Sequence, residues 1–210
     1  MNDFIEKCDL AYYSGYPIIS DEEYDALIAK YNLRSVGHTI TDGVPHAHKM
    51  YSLQKFFDLD DAPNYLQEGS NVVVTPKLDG AAVSLLYVNG HFALGLTRGD
   101  GNIGRDITDK MSMLVPEEIT TYGEVFITGE VVCPSDVPNS RNVASGSLGL
   151  KSIAEFALRP LTFVAYDVQS SEIDYSHYKT AMRLLANLGF NVVTTFDASL
   201  YPTDGKVYRA

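Results

Sequence analysis

A lysine and an aspartate stand two positions apart, at Lys77 and Asp79, in the segment Val74-Thr-Pro-Lys-Leu-Asp-Gly80. Residues two apart on a strand share a face, so we expect the amine and the carboxylate to lie side by side. A lysine amine can attack an electrophile, but free lysine has a pKa of about 10.4 and is almost entirely protonated at neutral pH. Desolvation or a nearby cation must therefore assist its deprotonation. The plain alternative is that Asp79-Gly80 is only a turn and Lys77 only a solvated strand end.

The residues around this pair predict β-structure that would hold it in place. Apolar residues 72–74 lead into the pair, Asp79-Gly80 breaks the run, and Ala81–Val88 resumes it with β-prone side chains. Asn89-Gly90 is a strong signal for a tight hairpin turn, which would return the chain through residues 91–98. The pair is therefore expected at the mouth of a hairpin.

Four further blocks follow the lysine segment in order. They are Thr97-Arg-Gly-Asp-Gly101 with its continuation to Thr108, Gly129-Glu130-Val131, Ser140-Arg-Asn-Val-Ala-Ser-Gly-Ser-Leu148, and Arg159-Pro-Leu-Thr-Phe-Val-Ala-Tyr166. Together with Lys77-Leu-Asp-Gly80, their order and spacing resemble the adenylation region of the NAD-dependent DNA ligases. The resemblance implies that Lys77 takes AMP from NAD, releasing nicotinamide mononucleotide, for later transfer to a 5'-phosphate at a DNA nick.

A bound adenylate needs an aromatic face for the base, a cation for the phosphate and acceptors for the ribose hydroxyls. The resemblance gives these roles to Tyr166, Arg98 and Glu130, while Asp79 orients the lysine or the ribose. It also implies a magnesium ion at the phosphates, with Glu130 either near the metal or on the ribose. Taken singly, Tyr166 has an alternative place in the core, and Arg98 an alternative as a surface ion pair.

The N-terminal residues predict a second, helical unit. Ser20-Asp-Glu-Glu23 is a capping box, so a helix is expected to begin near Asp21 and to run to about residue 31. Acidic residues in a first helical turn are favoured by the helix dipole, which is one explanation of Asp21 and Asp25. The other is a site for the cationic nicotinamide ring, formed by these carboxylates with Tyr12, Tyr13 and Tyr24.

The resemblance extends to this unit. The family places a nicotinamide mononucleotide-binding module before its adenylation domain, and Tyr12-Tyr13, Pro17 and Ile19-Ser-Asp-Glu-Glu-Tyr-Asp25 fit its pattern, with the gap from tyrosine to proline one residue short. ATP-dependent ligases and capping enzymes lack this module. We therefore expect a helical module with its linker at residues 1–45 and a nucleotidyltransferase domain at residues 46–210.

The linker contributes two expectations. Residues 44–54 resemble the family's His-x-x-Pro-Met-Leu-Ser-Leu segment, which implies that Ser52 and Leu53 lie near the adenylate. His46 and His48 are two residues apart, as metal ligands can be, but no third ligand with familiar spacing accompanies them. Two solvated histidines, and no protein-held metal, are the expectation.

The chain departs from the family pattern at several positions. Thr75 stands where the family has an adenine-recognising glutamate, so adenine recognition is expected to be weaker or to use backbone groups. Gly149 replaces an arginine that would contact DNA phosphate, and the segment between Glu130 and Arg141 is short. Near the C-terminus, Arg209 stands in place of a lysine of the family's Ile-Asp-Gly-Val-Val-Ile-Lys strand and would contact the adenylate.

Charge and length bear on the partners. The chain has 16 basic and 27 acidic residues, a formal net charge of -11, whereas DNA-binding surfaces need clustered positive charge. Nicked DNA is therefore expected to bind through a second subunit or through domains outside this sequence, namely the OB-fold, zinc-finger and helix-hairpin-helix modules. A fragment and the A subunit of a split viral ligase are both open, and the subunit is favoured. A non-catalytic NAD-binding or assembly module is the alternative function, and an ATP-using RNA ligase is a third.

Composition and periodicity set the fold class. We expect an α+β protein, in which a small helical module precedes a nucleotidyltransferase core of mainly antiparallel sheets with flanking helices. Helices are predicted at residues 2–14, 21–31, 147–157 and 176–188, and a strand at residues 190–196. Two cysteines far apart in sequence indicate a reducing compartment, and no apolar run reaches membrane-spanning length. A cytoplasmic enzyme of DNA replication and repair, in the host cytoplasm if viral, is the expectation.

Overall fold

The computed structural model describes residues 1–13, 17–31, 43–57, 60, 62–63, 66, 72–170 and 177–209, without the side chains of residues 2, 6, 9, 10, 12, 13, 21 and 25. The helices are α1 (Asn2–Tyr13), α2 (Asp21–Lys30), α3 (Thr108–Met111), α4 (Ser140–Ser147), α5 (Ile153–Ala157) and α6 (Tyr178–Asn187). The strands are β1 (Val44–Pro45), β2 (Val73–Leu78), β3 (Ala81–Val88), β4 (His91–Thr97), β5 (Ile103–Gly104), β6 (Glu124–Val132), β7 (Thr162–Ser170), β8 (Asn191–Val192) and β9 (Thr203–Arg209). The expected α+β class is confirmed.

The strands form one central sheet and two small ones. The central sheet has the order β4-β3-β6-β7-β8, and β2-β9 and β1-β5 are two-stranded ladders. All of these pairs are antiparallel except β7-β8. The expectation of mainly antiparallel sheets therefore holds.

The central sheet separates two apolar cores because its side chains alternate between its faces. The larger core packs Leu85 and Ile127 of the sheet against Met111 of α3 and Leu185 of α6. The smaller core packs helices α1 and α2 onto the opposite face. Its members include Phe4, Leu27, Leu94 and Phe126.

The β3-β4 hairpin forms as predicted. Its turn residues Asn89 and Gly90 have φ values of 47° and 85°, which a tight primed turn requires. A Cβ on Gly90 would lie 2.3 Å from the carbonyl oxygen of Ile119, so this position excludes a side chain on steric grounds as well. The turn sets the pairing next to it, and a register shift between Leu86 and Tyr87 sets the pairing beyond, where Val83 near the start of β3 lies opposite Thr97 at the end of β4.

Two predicted elements are wrong in extent. Residues 147–157 do not form one helix: α4 ends at Ser147, and α5 begins after Ser152, whose side chain accepts a hydrogen bond from the Glu155 backbone N–H. The strand predicted at residues 190–196 is limited to Asn191–Val192 and is followed by turns. The helix predicted at residues 176–188 is confirmed as α6, and Gly189 follows it with a φ of 97°.

No helix in the described part of the chain combines the length and the apolar character needed to cross a bilayer.

Candidate active site

The Lys77 amine is held by a carboxylate from the far end of the chain. Lys77 lies on β2 opposite Gly205 of β9, and the ladder shifts register between Lys77 and Leu78. This pairing brings Asp204 to the amine, whose Nζ donates to Oδ1 at 2.6 Å and to Oδ2 at 2.7 Å. An amine that donates to both oxygens of a carboxylate must leave this pair before it can act as a nucleophile.

Glu130 lies on β6, opposite Ala82 of β3. Burial raises the pKa of Glu130 to about 7, and the nearby Asp79 carboxylate adds to that rise. A hydrogen bond from the Gly80 N–H and the charges of Lys77 and Arg141 act in the opposite direction on the same carboxyl. Glu130 therefore lies within electrostatic reach of the predicted nucleophile, and it changes charge near neutral pH.

Gly80 permits this close approach of β6. A Cβ at Gly80 would lie 2.2 Å from the backbone oxygen of Val131, the residue after Glu130. Real Cβ atoms do not approach backbone this closely, so any side chain at Gly80 would displace the strand that carries the carboxyl. The glycine of the Lys-Leu-Asp-Gly segment is thus a packing requirement of the site.

Arg98 follows β4 directly and carries a buried donor that has no acceptor among the described residues. Its backbone N–H donates to the Ala82 oxygen at 3.1 Å, and its Nη2 donates to Ser52 Oγ at 2.6 Å. Its Nε is buried, and no acceptor among the described residues meets it. A buried guanidinium donor without an acceptor is costly, and an anionic group such as a phosphate would satisfy it.

Tyr166 and Arg209 lie against each other at the edge of the same cluster. The β6-β7 register shifts between Thr128 and Gly129, which leaves Tyr166 as an extra residue on β7. The Arg209 guanidinium carbon lies 5.8 Å from the Tyr166 ring centroid and 5.0 Å from that of Tyr178. Burial, and then the charge of Glu130, raise the pKa of the Tyr166 hydroxyl. The Tyr166 ring is therefore close to both Glu130 and Arg209.

Two charged residues at the site were not assigned a role from sequence. Arg141, on the first turn of α4, places its Nε 3.1 Å from Asp79 Oδ1, so Asp79 pairs with an arginine. Asp204 holds the amine of Lys77. Arg141 lies in the block at residues 140–148, and Asp204 lies in the C-terminal segment that resembles the family's Ile-Asp-Gly-Val-Val-Ile-Lys strand. That membership is the signal that points to them.

The predicted nicotinamide residues are placed on their helices without side-chain detail. Tyr12 and Tyr13 end α1, and Asp21 and Asp25 lie on α2, but their side chains fall outside the described residues. Tyr24 is half-buried and packs against the smaller core. The capping box that begins α2 is present, with the Ser20 and Glu23 side chains accepting from each other's backbone N–H.

The linker residues differ from one another in their surroundings. Ser52 contacts Arg98, as reported above, and Leu53 is half-exposed. His48 is exposed, with its ring against the edge of Phe126. His46 is half-buried and hydrogen-bonded, so the expectation that both histidines are solvated is wrong for His46. No metal-binding group of three or more His, Cys, Asp or Glu residues occurs in the described part of the chain.

Thr75 occupies the position at which the resemblance implies a glutamate. It is only 4% exposed and lies opposite Val207 in the β2-β9 ladder, on the same strand as Lys77. A short neutral side chain therefore stands at this point of the site. The expected weakening of adenine recognition stays a prediction.

Comparison with known proteins gives the family to which this chain belongs. Residues 39–200 match the family model of the NAD-dependent DNA ligase adenylation domain, so the chain belongs to that family. It is 31% identical to a DNA ligase of Campylobacter concisus over 86% of this chain and 34% of that protein. It is 34% identical to DNA ligase 1 of Nocardia farcinica over 81% of this chain and 31% of that protein. The chain thus spans about a third of the length of the curated relatives it matches.

Proposed function

We propose that this chain carries out the first step of an NAD-dependent DNA ligase. Lys77 Nζ attacks the α-phosphorus of NAD, a nitrogen–phosphorus bond forms, the phosphoanhydride bond breaks, and nicotinamide mononucleotide leaves. The amine loses a proton in this step, and the product is a lysyl-AMP intermediate. The observation that carries the proposal is the meeting of Lys77, Glu130, Arg98 and Tyr166 in one cluster, within a chain of this family.

The ion pair with Asp204 describes the enzyme before reaction. An ammonium group bound to a carboxylate has no lone pair to donate, so Lys77 must separate from Asp204 and lose its proton. The incoming phosphate would compete with Asp204 for Lys77, and the cations bound to the phosphate would compete with Lys77 for Asp204. We propose that donor binding opens this pair and exposes the amine to the α-phosphorus.

The remaining residues of the cluster would hold the AMP half. Tyr166 supplies a ring face for the base, Arg98 supplies the buried Nε donor for the phosphate, and Glu130 supplies acceptors for the ribose. Asp79 would position the ribose or the lysine, Arg209 would add positive charge, and Ser52 and Leu53 would line the adenylate. The unpartnered Nε of Arg98 is the feature that best fits an anionic ligand.

A magnesium ion belongs to this proposal as a charge-neutralising partner of the phosphates. The described residues form no cluster of three or more metal-binding side chains. Magnesium commonly retains waters and binds through substrate phosphates with one or two carboxylates, so such a cluster is not required. Either this ion or the ribose would be the partner of the Glu130 carboxylate.

The helical module would bind the nicotinamide mononucleotide half of NAD. Glu130 is four residues from Phe126 on β6, so both side chains leave the same face of the sheet. Phe126 belongs to the core beneath α1 and α2, so these helices pack on the face of the sheet from which the Glu130 side chain leaves. This arrangement supports a donor that bridges residues 1–45 and 46–210. The proposed contacts are Tyr12, Tyr13, Asp21, Tyr24 and Asp25.

Nick sealing is proposed for an assembled ligase. The transfer of AMP to a 5'-phosphate at a DNA nick would use a second subunit or OB-fold, zinc-finger and helix-hairpin-helix modules. The net charge of -11 supports a division in which other parts of the ligase contact DNA. A split viral organisation and a cytoplasmic place in replication and repair stay predictions.

The test is transfer of labelled adenylate to the protein from NAD in the presence of magnesium, with ATP as the competing donor. Lys77→Arg is the matched control, because arginine keeps the positive charge opposite Asp204 but is a very poor nucleophile. We expect label from NAD on the wild type and none on the variant. Label on the variant would show that Lys77 is not the nucleophile. NAD binding by calorimetry without labelling would favour the NAD-binding module instead, and labelling from ATP would favour an RNA ligase.

A further inference from the structure

Linker residues 44–50 are hydrogen-bonded to the loop that follows β4. β1 and β5 pair through Val44 with Gly104 and Pro45 with Ile103. The backbone N–H of His46 donates to the Asn102 oxygen at 2.8 Å, and that of Met50 donates to the Gly101 oxygen at 3.0 Å. We call this set of contacts the linker clamp. It lies directly beside Arg98.

The His46 ring is the part of the linker clamp that reaches Arg98 itself. Its Nε2 lies 3.1 Å from the carbonyl oxygen of Thr97 and 3.1 Å from that of Arg98. Both partners are acceptors, so Nε2 carries a hydrogen, and it does so in the neutral tautomer and in the imidazolium alike. Gly104 leaves room for this contact, because a Cβ there would lie 2.9 Å from the same nitrogen.

Arg98 is consequently fixed at three points. Its N–H is bound to Ala82, its carbonyl oxygen accepts from His46 and from the Gly101 N–H, and its Nη2 is bound to Ser52. The backbone contacts define where the side chain leaves the chain. Of the guanidinium nitrogens, Nη2 is bound, and the buried Nε has no acceptor among the described residues.

We propose that His46 is a positioning residue for the adenylation step. By donating to the two carbonyl oxygens at the end of β4, it fixes the backbone from which Arg98 reaches the donor's phosphate. The inference rests on the proposed function, since it needs Arg98 to act on that phosphate. It requires no charge change at His46, because the same atom donates in both protonation states.

Hydrogen exchange tests the positioning part without any reaction. In His46→Ala, the amides of Arg98 and Gly101 should exchange roughly tenfold or more faster than in the wild type, since their local opening becomes easier. His46→Gln should restore most of the protection, because its amide nitrogen can reach the same carbonyl oxygens. His48→Ala is the matched control. His48 is an exposed histidine of the same linker, and its ring packs on Phe126 of β6. Unchanged exchange at Ile127 in β6 shows that the core of each variant is folded.

Single-turnover adenylylation from NAD tests the consequence. In His46→Ala, the rate constant at saturating NAD should fall roughly 10- to 100-fold, whereas the half-saturating NAD concentration should change less than about threefold. Gln at position 46 should recover most of the rate, and His48→Ala should match the wild type. A wild-type rate in His46→Ala, an equal loss in His48→Ala, or unchanged exchange at Arg98 would each overturn the proposal. A wild-type chain that forms no adenylate would instead contradict the proposed function, while the exchange measurement still decides whether His46 fixes Arg98.

Discussion

At the scale of single residues, the site contains an amine that must lose a proton to react and a buried carboxyl that holds one. The Lys77 amine is held by two carboxylate oxygens of Asp204, and it must lose a proton to react. Glu130 is a carboxyl whose burial raises its pKa to about 7, so it is part protonated at neutral pH. Binding of a donor with its cations would favour the charged form of Glu130. In the proposed mechanism, Lys77 would thus lose its positive charge and Glu130 would gain its negative charge when the donor binds.

Glu130 makes folding stability depend on pH in a defined direction. Its pKa is about 7 in the folded chain and 4.5 as an unperturbed group, so between these values the folded state binds more protons. The free energy of unfolding consequently falls as pH rises through this window, and the loss is complete above about pH 7. Glu130→Gln removes the titrating carboxyl and with it this pH dependence. The free energy of unfolding of the variant, relative to that of the wild type, should therefore rise by roughly 1 to 3 kcal/mol between about pH 4.5 and about pH 8.

Denaturant unfolding of both proteins at the two ends of that window measures the difference. Glu22→Gln, which replaces an exposed carboxyl on α2, is the control for removing one negative charge. If the difference in unfolding free energy between wild type and Glu130→Gln were the same at both pH values, the pKa of Glu130 would not be raised in the folded chain. A gap that closed at high pH would contradict the sign of the effect.

The residue types of the cluster could be predicted from sequence, but their pairing could not. Lys77, Arg98, Glu130 and Tyr166 lie in ordered blocks, and the blocks indicated that they would meet. The bond between Lys77 and Asp204 joins residues 127 positions apart and depends on a register shift in the β2-β9 ladder. No local pattern encodes that shift, so Asp204 could not be assigned to the amine in advance.

At the scale of elements, the sequence located the helix ends and the turn that are marked by a capping residue or by a glycine. The capping box at Ser20 placed the start of α2, Asn89-Gly90 placed the β3-β4 turn, and Gly189 placed the end of α6. The strand predicted at residues 190–196 was too long because β8 pairs only with Val164 and Ala165 at the sheet edge. The single helix predicted at residues 147–157 was wrong because Ser152 caps a new helix instead.

Gly80 offers a test of how the elements are packed at the site. Gly80→Ala would place a Cβ 2.2 Å from the Val131 backbone oxygen, so β6 must shift and carry Glu130 with it. We expect the free energy of unfolding to fall by about 2 kcal/mol or more, which denaturant unfolding would detect.

Gly146→Ala is the matched control for that substitution. Gly146 lies within α4, and a Cβ there would meet no atom within 4 Å. Alanine should stabilise the helix by up to about 1 kcal/mol, because it is the better helix former. Equal effects of the two substitutions would show that the close approach of β6 to Gly80 is not a packing requirement.

At the scale of the whole molecule, the net charge bears on how this chain would meet DNA. The chain belongs to the adenylation-domain family, yet it spans about a third of its curated relatives and carries a net charge of -11. Phosphate neutralisation by basic side chains dominates the affinity of proteins for DNA. A chain of this net charge is poorly suited to holding a DNA duplex by itself.

This chain alone should therefore bind nicked duplex DNA weakly. We expect a dissociation constant weaker than about 10 μM at near-physiological salt, with a small dependence on salt because few phosphates are neutralised. Fluorescence anisotropy of a labelled nicked duplex, titrated at two salt concentrations, gives both quantities. Tight binding with a steep salt dependence would show that this chain carries a DNA-binding surface of its own.

The most direct measurement is the intact mass of the chain before and after incubation with NAD and magnesium, followed by peptide mapping of the product. The account predicts a gain of one adenylyl group, located on Lys77, from NAD but not from ATP, and absent in Lys77→Ala. A group found on another residue would contradict the assignment of the nucleophile. No gain from a chain that binds NAD would contradict the claim that these residues complete the first step of ligation.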